Sequence, residues 1–146
     1  KAKMLGMSRS RFVDPAGLSP QNVASMNDLV RLVRAAYQNP LIRDYSTKEE
    51  LVVRRAGSAL HFRSTNALVR NDAVPVLLQK TGYIREAGRC LVLVTLVKGR
   101  PAIFVLLNSQ GKYTRIADAK RLKHWLETGQ PHPSVRAQHG SSRRAG

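Results

Sequence analysis

Two apolar, β-rich runs joined by a short turn constrain the fold of this chain most. Residues 89–97 and 101–107 consist largely of strand-forming apolar residues, and Lys98-Gly99 lies close between them. A glycine-containing pair between two such runs predicts a β-hairpin. Both runs are apolar at successive positions rather than alternate ones, which is typical of strands buried on both faces. We therefore expect both faces of this sheet to be covered.

Two amphipathic helices are predicted, one before and one after this hairpin. The first begins after Ser25, whose side chain can cap it, with Asp28 in a capping-box position. Its apolar stripe consists of Leu29, Leu32, Val33 and Ala36. It is expected to stop near residues 39–40, because a proline disfavours helical geometry in the residue before it. The second helix uses Thr114 as its cap and ends before Gly129. Its stripe, expected to lie across the sheet, consists of Ile116, Ala119, Leu122, Trp125 and Leu126.

A smaller hairpin is predicted between the first helix and the long hairpin. Residues 51–53 and 60–62 are apolar, and the polar residues 55–58 between them include a glycine. Residues 12–20 are dense in proline, glycine and aspartate and are interpreted as an ordered loop. Residues 64–66 begin a second loop, which leads towards Lys80.

Length and composition favour one domain followed by a tail. With 146 residues, 42% of them hydrophobic, the chain can form one compact core but not two ordinary domains. We assign residues 1–128 to the domain. Residues 129–146 are basic and offer almost nothing to bury, so they are predicted to be a disordered tail.

Neither a metal site nor a disulfide is predicted. The histidines, His61, His124, His132 and His139, lack a paired ligand spacing such as H-x-x-x-H. The one cysteine, Cys90, lies in an apolar run and is interpreted as a buried small hydrophobic residue. No cofactor is expected.

The chain is strongly basic, with 25 Lys and Arg against 9 Asp and Glu and a formal charge of +16. Such a charge attracts polyanions, whether nucleic acid, anionic lipid or acidic wall polymer. The basic residues are scattered, however, and aromatic residues form only 5% of the chain, too few for obvious base-stacking platforms. A solvated basic surface is therefore favoured over a nucleic-acid site. No segment approaches the length of a transmembrane helix, and the start of the chain lacks the apolar core of a secretory signal.

The tripeptide Lys80-Thr81-Gly82 stands shortly before the long hairpin. K-T-G is one of three short elements that meet in the cleft of penicillin-recognising serine enzymes, together with S-x-x-K and an S-x-N type element. Three residues also recur by chance, so the weight of the motif comes from the sequence around it.

The surrounding segments resemble the C-terminal part of the D-alanyl-D-alanine peptidases, most closely the small penicillin-binding endopeptidases. The similarity extends in register over about residues 1–127. Its most recognisable segments are residues 12–22, 64–68, 80–83, 86–90 and 106–113. This resemblance implies an α/β fold of the α+β type, β-lactamase/transpeptidase-like, in which an antiparallel sheet is covered by helices. We expect the fold to be incomplete in this chain.

The resemblance also implies roles for four consecutive residues. Lys80 would place its charge beside the substrate carboxylate and join the proton network of the nucleophile. Thr81 would offer its hydroxyl to the same carboxylate. Gly82 would let the peptide substrate lie against the strand edge, because it has no side chain. The backbone N–H of Tyr83 would supply half of the oxyanion hole.

Other matches to the missing motifs are rejected as catalytic elements. Residues 109–112 fit S-x-x-K, but Gly111 and the end-of-strand context indicate a loop rather than a buried helix. Residues 25–27 and 64–66 fit S-x-N, yet the first opens an amphipathic helix and the second matches a different segment of the family. We therefore expect no nucleophile in this chain, which alone would be inactive. An N-terminal portion, cleaved off, disordered or present as another chain, would have to complete the cleft.

The function implied by the resemblance is hydrolysis of peptidoglycan cross-links in the periplasm by a serine endopeptidase. The reaction would proceed through an acyl-enzyme, and β-lactams would acylate the same serine. A D-alanyl-D-alanine carboxypeptidase and a non-catalytic relative remain alternatives with the same fold. A basic protein that binds polyanions, and is no enzyme, remains an alternative from another class.

Overall fold

A three-stranded antiparallel sheet forms the centre of the protein. The computed structural model describes residues 1–70 and 73–134. Strands β3 (Val76–Ile84), β4 (Gly88–Val97) and β5 (Arg100–Ser109) lie in this order, with β4 in the middle. At the β4–β5 turn, Lys98 and Gly99 have φ values of 50° and 74°. Positive φ at both turn residues suits a two-residue hairpin, so this prediction is confirmed.

Helices cover both faces of the sheet. Helix α3 (Thr114–Thr128) contributes Ala119 to a core cluster that includes Leu91 and Leu93 of β4. Helix α1 (Met26–Tyr37) contributes Val33 to a second cluster, which contains Leu78 of β3 and Val94 of β4. Successive residues of β4 thus enter opposite layers, as the unbroken apolar run predicted.

Both predicted helices form, but the cap and the buried stripe of the second differ from the prediction. The Ser25 hydroxyl accepts a hydrogen bond from the Asp28 N–H at 3.2 Å, which confirms the cap of α1. Gly129 ends α3 in the left-handed conformation, with φ of 70°. Thr114 is not the cap of α3, because Tyr113 occupies that position and Thr114 is the first helical residue. Trp125, expected on the buried stripe, is 54% exposed.

A further helix, α2 (Pro40–Thr47), begins where the sequence predicted only an end. Pro40 takes the first helical position, where the missing N–H of proline costs no hydrogen bond. Asn39 caps the helix by accepting from the N–H groups of Leu41 and Ile42 at 3.0 and 3.4 Å. The same proline therefore separates α1 from α2 and initiates α2.

The smaller hairpin forms a separate two-stranded sheet. Strand β1 (Glu50–Arg55) pairs with β2 (Ser58–Arg63) in antiparallel register, which confirms the predicted hairpin. All residues of both strands are exposed. Leu51 lies opposite Phe62, and Val53 opposite Leu60, so one apolar face of this hairpin is uncovered within the described residues.

Two further expectations concern Cys90 and the tail. Cys90 is only half-buried, because it lies opposite Gly82, which has no side chain to cover it. The tail prediction for residues 129–146 remains a prediction, and residues 135–146 lie outside the described part. Within the described part, His132 packs edge-on against His124 at 5.1 Å between ring centroids.

Candidate active site

The residues singled out by the sequence lie on an edge strand. Lys80, Thr81, Gly82 and Tyr83 are consecutive in β3, whose only strand neighbour among the described residues is β4. Lys80 is exposed, and its Nζ donates to the Thr81 carbonyl at 2.5 Å. The free edge of β3 is therefore open along the tripeptide, and an extended peptide can add to such an edge as a further strand.

Gly82 is not required by packing within the described chain. A Cβ atom at this position would have its nearest neighbour, the Cys90 Cβ, at 3.9 Å, which is ordinary van der Waals contact. Gly82 also has no positive φ. Gly88 differs in both respects, because its φ is 65° and an added Cβ would clash with the Asn108 side chain. Any requirement for glycine at position 82 therefore concerns the open side of the strand.

The segment 64–66 meets the tripeptide in space. The Thr65 and Thr81 hydroxyl oxygens are 2.8 Å apart and share a hydrogen bond. Asn66 is 1% exposed and donates through Nδ2 to the Gln79 Oε1 at 3.4 Å. Gln79 in turn donates to the Ser46 carbonyl at 2.8 Å, which ties β3 to α2. Sequence reasoning separated this segment from the site, and it missed the contact between Thr65 and Thr81.

Two clefts meet at Lys80 and Thr81. The first, the α2 cleft, has a volume of about 640 Å³ and lies between α2, the β1–β2 hairpin and β3. The second, the basic cleft, has a volume of about 610 Å³ and lies between the 16–18 loop, β3 and the start of α3. Both volumes are within the usual range for ligand sites. Thr65, Lys80 and Thr81 line both clefts.

A buried arginine lines the basic cleft. Arg115, in the first turn of α3, is 8% exposed, and its Nε and Nη1 have no hydrogen-bond partner among the described residues. The first turn of α3 contains no acidic residue. An unpaired buried guanidinium at a helix N-terminus favours an anion nearby. Sequence reasoning missed Arg115, because burial of this side chain depends on how α3 packs.

The wall opposite β3 is a loop held by one carboxylate. Asp14 accepts hydrogen bonds from the N–H groups of Ser19, Ala16, Gly17 and Leu18. The bond from Ser19, together with those from residues 16–18, outweighs desolvation and holds the pKa of Asp14 below its usual value. The predicted ordered loop is thus fixed by a charged group, and its residues 16–18 line the basic cleft.

Of the rejected motif matches, residues 64–66 contact the tripeptide and residues 109–112 reach the basic cleft through Lys112, whereas residues 25–27 lie outside both clefts. Ser109 ends β5, and Gly111 has φ of 76°, so residues 109–112 contain no helical turn. Ser25 caps α1 and lines neither the α2 cleft nor the basic cleft. Residues 1–70 and 73–134 contain no group of three His, Cys, Asp or Glu that could hold a metal ion. In the same ranges no helix is long and apolar enough to cross a membrane.

A sequence profile of the D-alanyl-D-alanine carboxypeptidase family matches residues 1–111. The chain belongs to this family of serine peptidases. Within the family, it is 47% identical to the D-alanyl-D-alanine endopeptidase of Pseudomonas aeruginosa over 132 residues. It is 44% identical to the D-alanyl-D-alanine endopeptidase of Escherichia coli over 135 residues. The predicted resemblance is confirmed.

These matches cover most of the chain but only part of the relatives. They include 89% and 91% of this chain, yet 43% and 44% of the Pseudomonas aeruginosa and Escherichia coli proteins. The chain thus spans less than half the length of these curated relatives.

Solved structures confirm the predicted fold class. Penicillin-binding protein D2 from Listeria monocytogenes, in its cefotaxime-bound form, matches with a TM-score of 0.71 and 25% identity. This match covers 86% of the chain and 51% of the Listeria protein. The Streptomyces K15 DD-transpeptidase matches in fold with a TM-score of 0.75 and 22% identity, over 86% of the chain and 50% of its own.

Proposed function

We propose that this chain is the substrate-binding part of a periplasmic serine D-alanyl-D-alanine endopeptidase. The enzyme hydrolyses peptide cross-links of peptidoglycan, and β-lactams acylate its nucleophile. The observation that carries this proposal is the position of Lys80-Thr81-Gly82 on a free strand edge where two clefts meet. Identity of 47% to a D-alanyl-D-alanine endopeptidase supports it.

The free edge of β3 suits a peptide substrate. An extended peptide pairs with the backbone of an exposed strand, and its affinity comes from main-chain hydrogen bonds. At Gly82 the absence of a side chain lets the substrate backbone approach closely. Because a Cβ at Gly82 would meet nothing closer than 3.9 Å inside the described chain, approach of a ligand is the more direct reason for glycine.

Charge on this strand suits a carboxylate beside the scissile bond. Lys80 and the Thr81 hydroxyl bind that carboxylate, and the unpaired Arg115 adds positive charge in the same cleft. The Tyr83 N–H donates to the oxyanion that forms on the scissile carbonyl. Thr65 keeps the Thr81 hydroxyl oriented through the 2.8 Å contact.

The reaction proceeds in two steps through a serine outside this chain. The serine oxygen attacks the carbonyl carbon, and the amine of the neighbouring peptide leaves with a proton. Water then attacks the acyl-enzyme ester, which releases a peptide with a new carboxylate and restores the serine. This chain contributes substrate binding, one oxyanion donor and, through Lys80, one member of the proton network of that serine, but no nucleophile, so we propose that it is inactive alone.

A chimaeric protein tests this function. The matching segment of the Pseudomonas aeruginosa endopeptidase is replaced by this chain, and acylation by a fluorescent penicillin is followed by gel and intact mass. We expect one penicillin per chimaera. Lys80→Ala is expected to slow acylation at least about a hundredfold, the usual minimum for a group in proton transfer. Lys120→Ala, on α3 outside both clefts, is the control and should stay within about twofold.

Equal acylation of the chimaera and its Lys80→Ala variant would overturn this role for Lys80. The +16 charge favours one competing function, a basic protein that binds polyanions. That function predicts steeply salt-dependent binding of a polyanion which survives Lys80→Ala. A chimaera that is never acylated while this chain binds polyanions tightly would support the competitor.

A further inference from the structure

The basic cleft contains more positive charge than one substrate carboxylate needs. Its lining includes five cationic side chains, those of Arg70, Lys80, Arg89, Lys112 and Arg115. No Asp or Glu of the described chain lines it. With Lys80 and Arg115 placed at the carboxylate beside the scissile bond, Arg70, Arg89 and Lys112 remain without an assigned partner.

Within residues 1–70 and 73–134, no Asp or Glu forms an ion pair with these cations. Ion pairs in the described ranges join Arg31 to Asp28, Lys48 to Asp44, Arg121 to Asp118 and Lys123 to Glu127. All of them lie outside the basic cleft. The cations of the cleft share one concave surface instead, and Arg115 is buried there without a partner for its Nε and Nη1. Like charges converging on one cleft raise the local concentration of an anionic ligand.

Contacts with aromatic rings orient Arg89 and Lys112, which are called the rim cations below. The Arg89 guanidinium lies 4.6 Å from the centroid of the Tyr83 ring, and Lys112 Nζ lies 5.5 Å from that of Tyr113. Both rings line the cleft. These cation–π contacts neutralise no charge, so they orient the cations and leave them available to an anion.

We propose that the basic cleft binds the leaving-side part of the substrate through a second carboxylate, held by Arg89 and Lys112. This inference rests on the proposed function and specifies its substrate class. Lys80 and Arg115 hold the carboxylate next to the scissile bond, while the rim cations hold one further along the leaving peptide. A single D-alanine offers no second carboxylate. The site therefore prefers a cross-linked, multiply acidic peptide, which is the selectivity of an endopeptidase over a carboxypeptidase.

Two matched probes test this preference on the 146-residue chain itself. The ¹⁵N-labelled chain is titrated at low ionic strength with N-acetyl-D-alanyl-D-glutamate and with N-acetyl-D-alanyl-D-glutamine. The probes share the backbone carboxylate and differ only in the charge of the side chain. We expect both to shift the amide signals of residues 80–83 and Arg115. The glutamate probe should bind about fivefold more tightly, because exposed ion pairs are individually weak.

Two double variants, each with two positive charges fewer, distinguish specific binding at Arg89 and Lys112 from the general attraction of anions to a basic protein. Arg89→Gln with Lys112→Gln should reduce the preference for the glutamate probe to below about twofold, because the rim ion pairs are gone. Arg54→Gln with Arg55→Gln, at the tip of the β1–β2 hairpin, should keep the full preference. Added salt should lower the affinity for the glutamate probe more than the affinity for the glutamine probe.

The outcomes distinguish this inference from the function on which it rests. The inference would be overturned if the glutamate and glutamine probes bound with equal affinity, or if the preference for the glutamate probe survived in the Arg89/Lys112 variant. Penicillin acylation of the chimaera would still support the proposed function in either case. If neither probe shifts residues 80–83, the inference fails outright. A preference lost only in the Arg89/Lys112 variant would support it even if the chimaera were never acylated.

Discussion

The β4–β5 hairpin and the β1–β2 hairpin use similar residues but bury them to opposite extents. Leu91 and Leu93 of β4 are 0% exposed, whereas Leu51 and Leu60 of the small hairpin are 44% and 49% exposed. An isolated two-stranded hairpin is marginally stable in water. The difference shows that helices on both faces, rather than strand propensity, stabilise the central sheet.

Truncation of one leucine in each hairpin gives the largest contrast. Leu93→Ala should lower the free energy of unfolding by about 2–5 kcal/mol, because it leaves a cavity in the core. Leu60→Ala should lower it by less than about 1 kcal/mol, because that side chain is already half in water. Urea denaturation followed by circular dichroism measures both. Similar losses would contradict the difference in burial.

Substitution of Gly82 in β3 and of Gly88 in β4 should distinguish a glycine needed for ligand binding from a glycine needed for stability. Gly88→Ala should cost about 1–3 kcal/mol of unfolding free energy, because of its positive φ and the clash with Asn108. Gly82→Ala should change stability by less than about 0.5 kcal/mol, since its Cβ has room. In the chimaera, Gly82→Ala should slow penicillin acylation at least about tenfold, because an added methyl group would obstruct the close approach of the substrate backbone that we propose at this position. Full acylation of that variant would show that the substrate does not approach Gly82.

Substitution of Arg115 tests whether the charge that this residue adds to the basic cleft lowers the free energy of unfolding. Arg115→Met keeps most of the side-chain volume and removes a buried charge with two unpaired nitrogens. We expect the free energy of unfolding to rise by about 1 kcal/mol, while affinity for both dipeptide probes falls at least about tenfold. Arg121→Met is the control, because the Arg121 Nε is also buried without a partner but its Nη1 pairs with Asp118 at 2.7 Å, so the substitution breaks an ion pair and should not raise stability. A loss of stability in Arg115→Met would mean that the guanidinium supports the fold.

Local patterns predicted the elements better than the contacts between them. The apolar runs of β4 and β5 and the Ser25 cap depend on neighbours in sequence, and both predictions are confirmed. Helix α2 was missed because Pro40 both ends one helix and begins another. The half-exposure of Cys90 was missed because it depends on the register that places Gly82 opposite it. Tertiary packing decided the exposure of Cys90, whereas α2 depends on two local signals, Pro40 and the Asn39 cap.

The contact between Thr65 and Thr81 is of the same kind and carries the smallest predicted effect. The residues are 16 apart in sequence, so only the folded loop brings their hydroxyl groups to 2.8 Å. Thr65→Val and Thr81→Val should each cost about 0.5–1 kcal/mol of unfolding free energy, because one weak, partly exposed hydrogen bond is lost. A double-mutant cycle should give a coupling of about 0.5 kcal/mol between them. Thr65→Val with Thr128→Val, whose hydroxyl bonds within α3, should give none.

The size of this coupling energy shows whether Thr65 helps to orient Thr81 of the Lys80-Thr81-Gly82 tripeptide for substrate binding. A measurable coupling would mean that the 64–66 segment orients the Thr81 hydroxyl before any substrate arrives, as rigid support of a binding group requires. Thr65→Val should then lower the affinity for N-acetyl-D-alanyl-D-glutamine about twofold to threefold, although Thr65 itself need not contact this probe. Absence of coupling, with unchanged probe affinity, would mean that Thr81 is oriented by β3 alone.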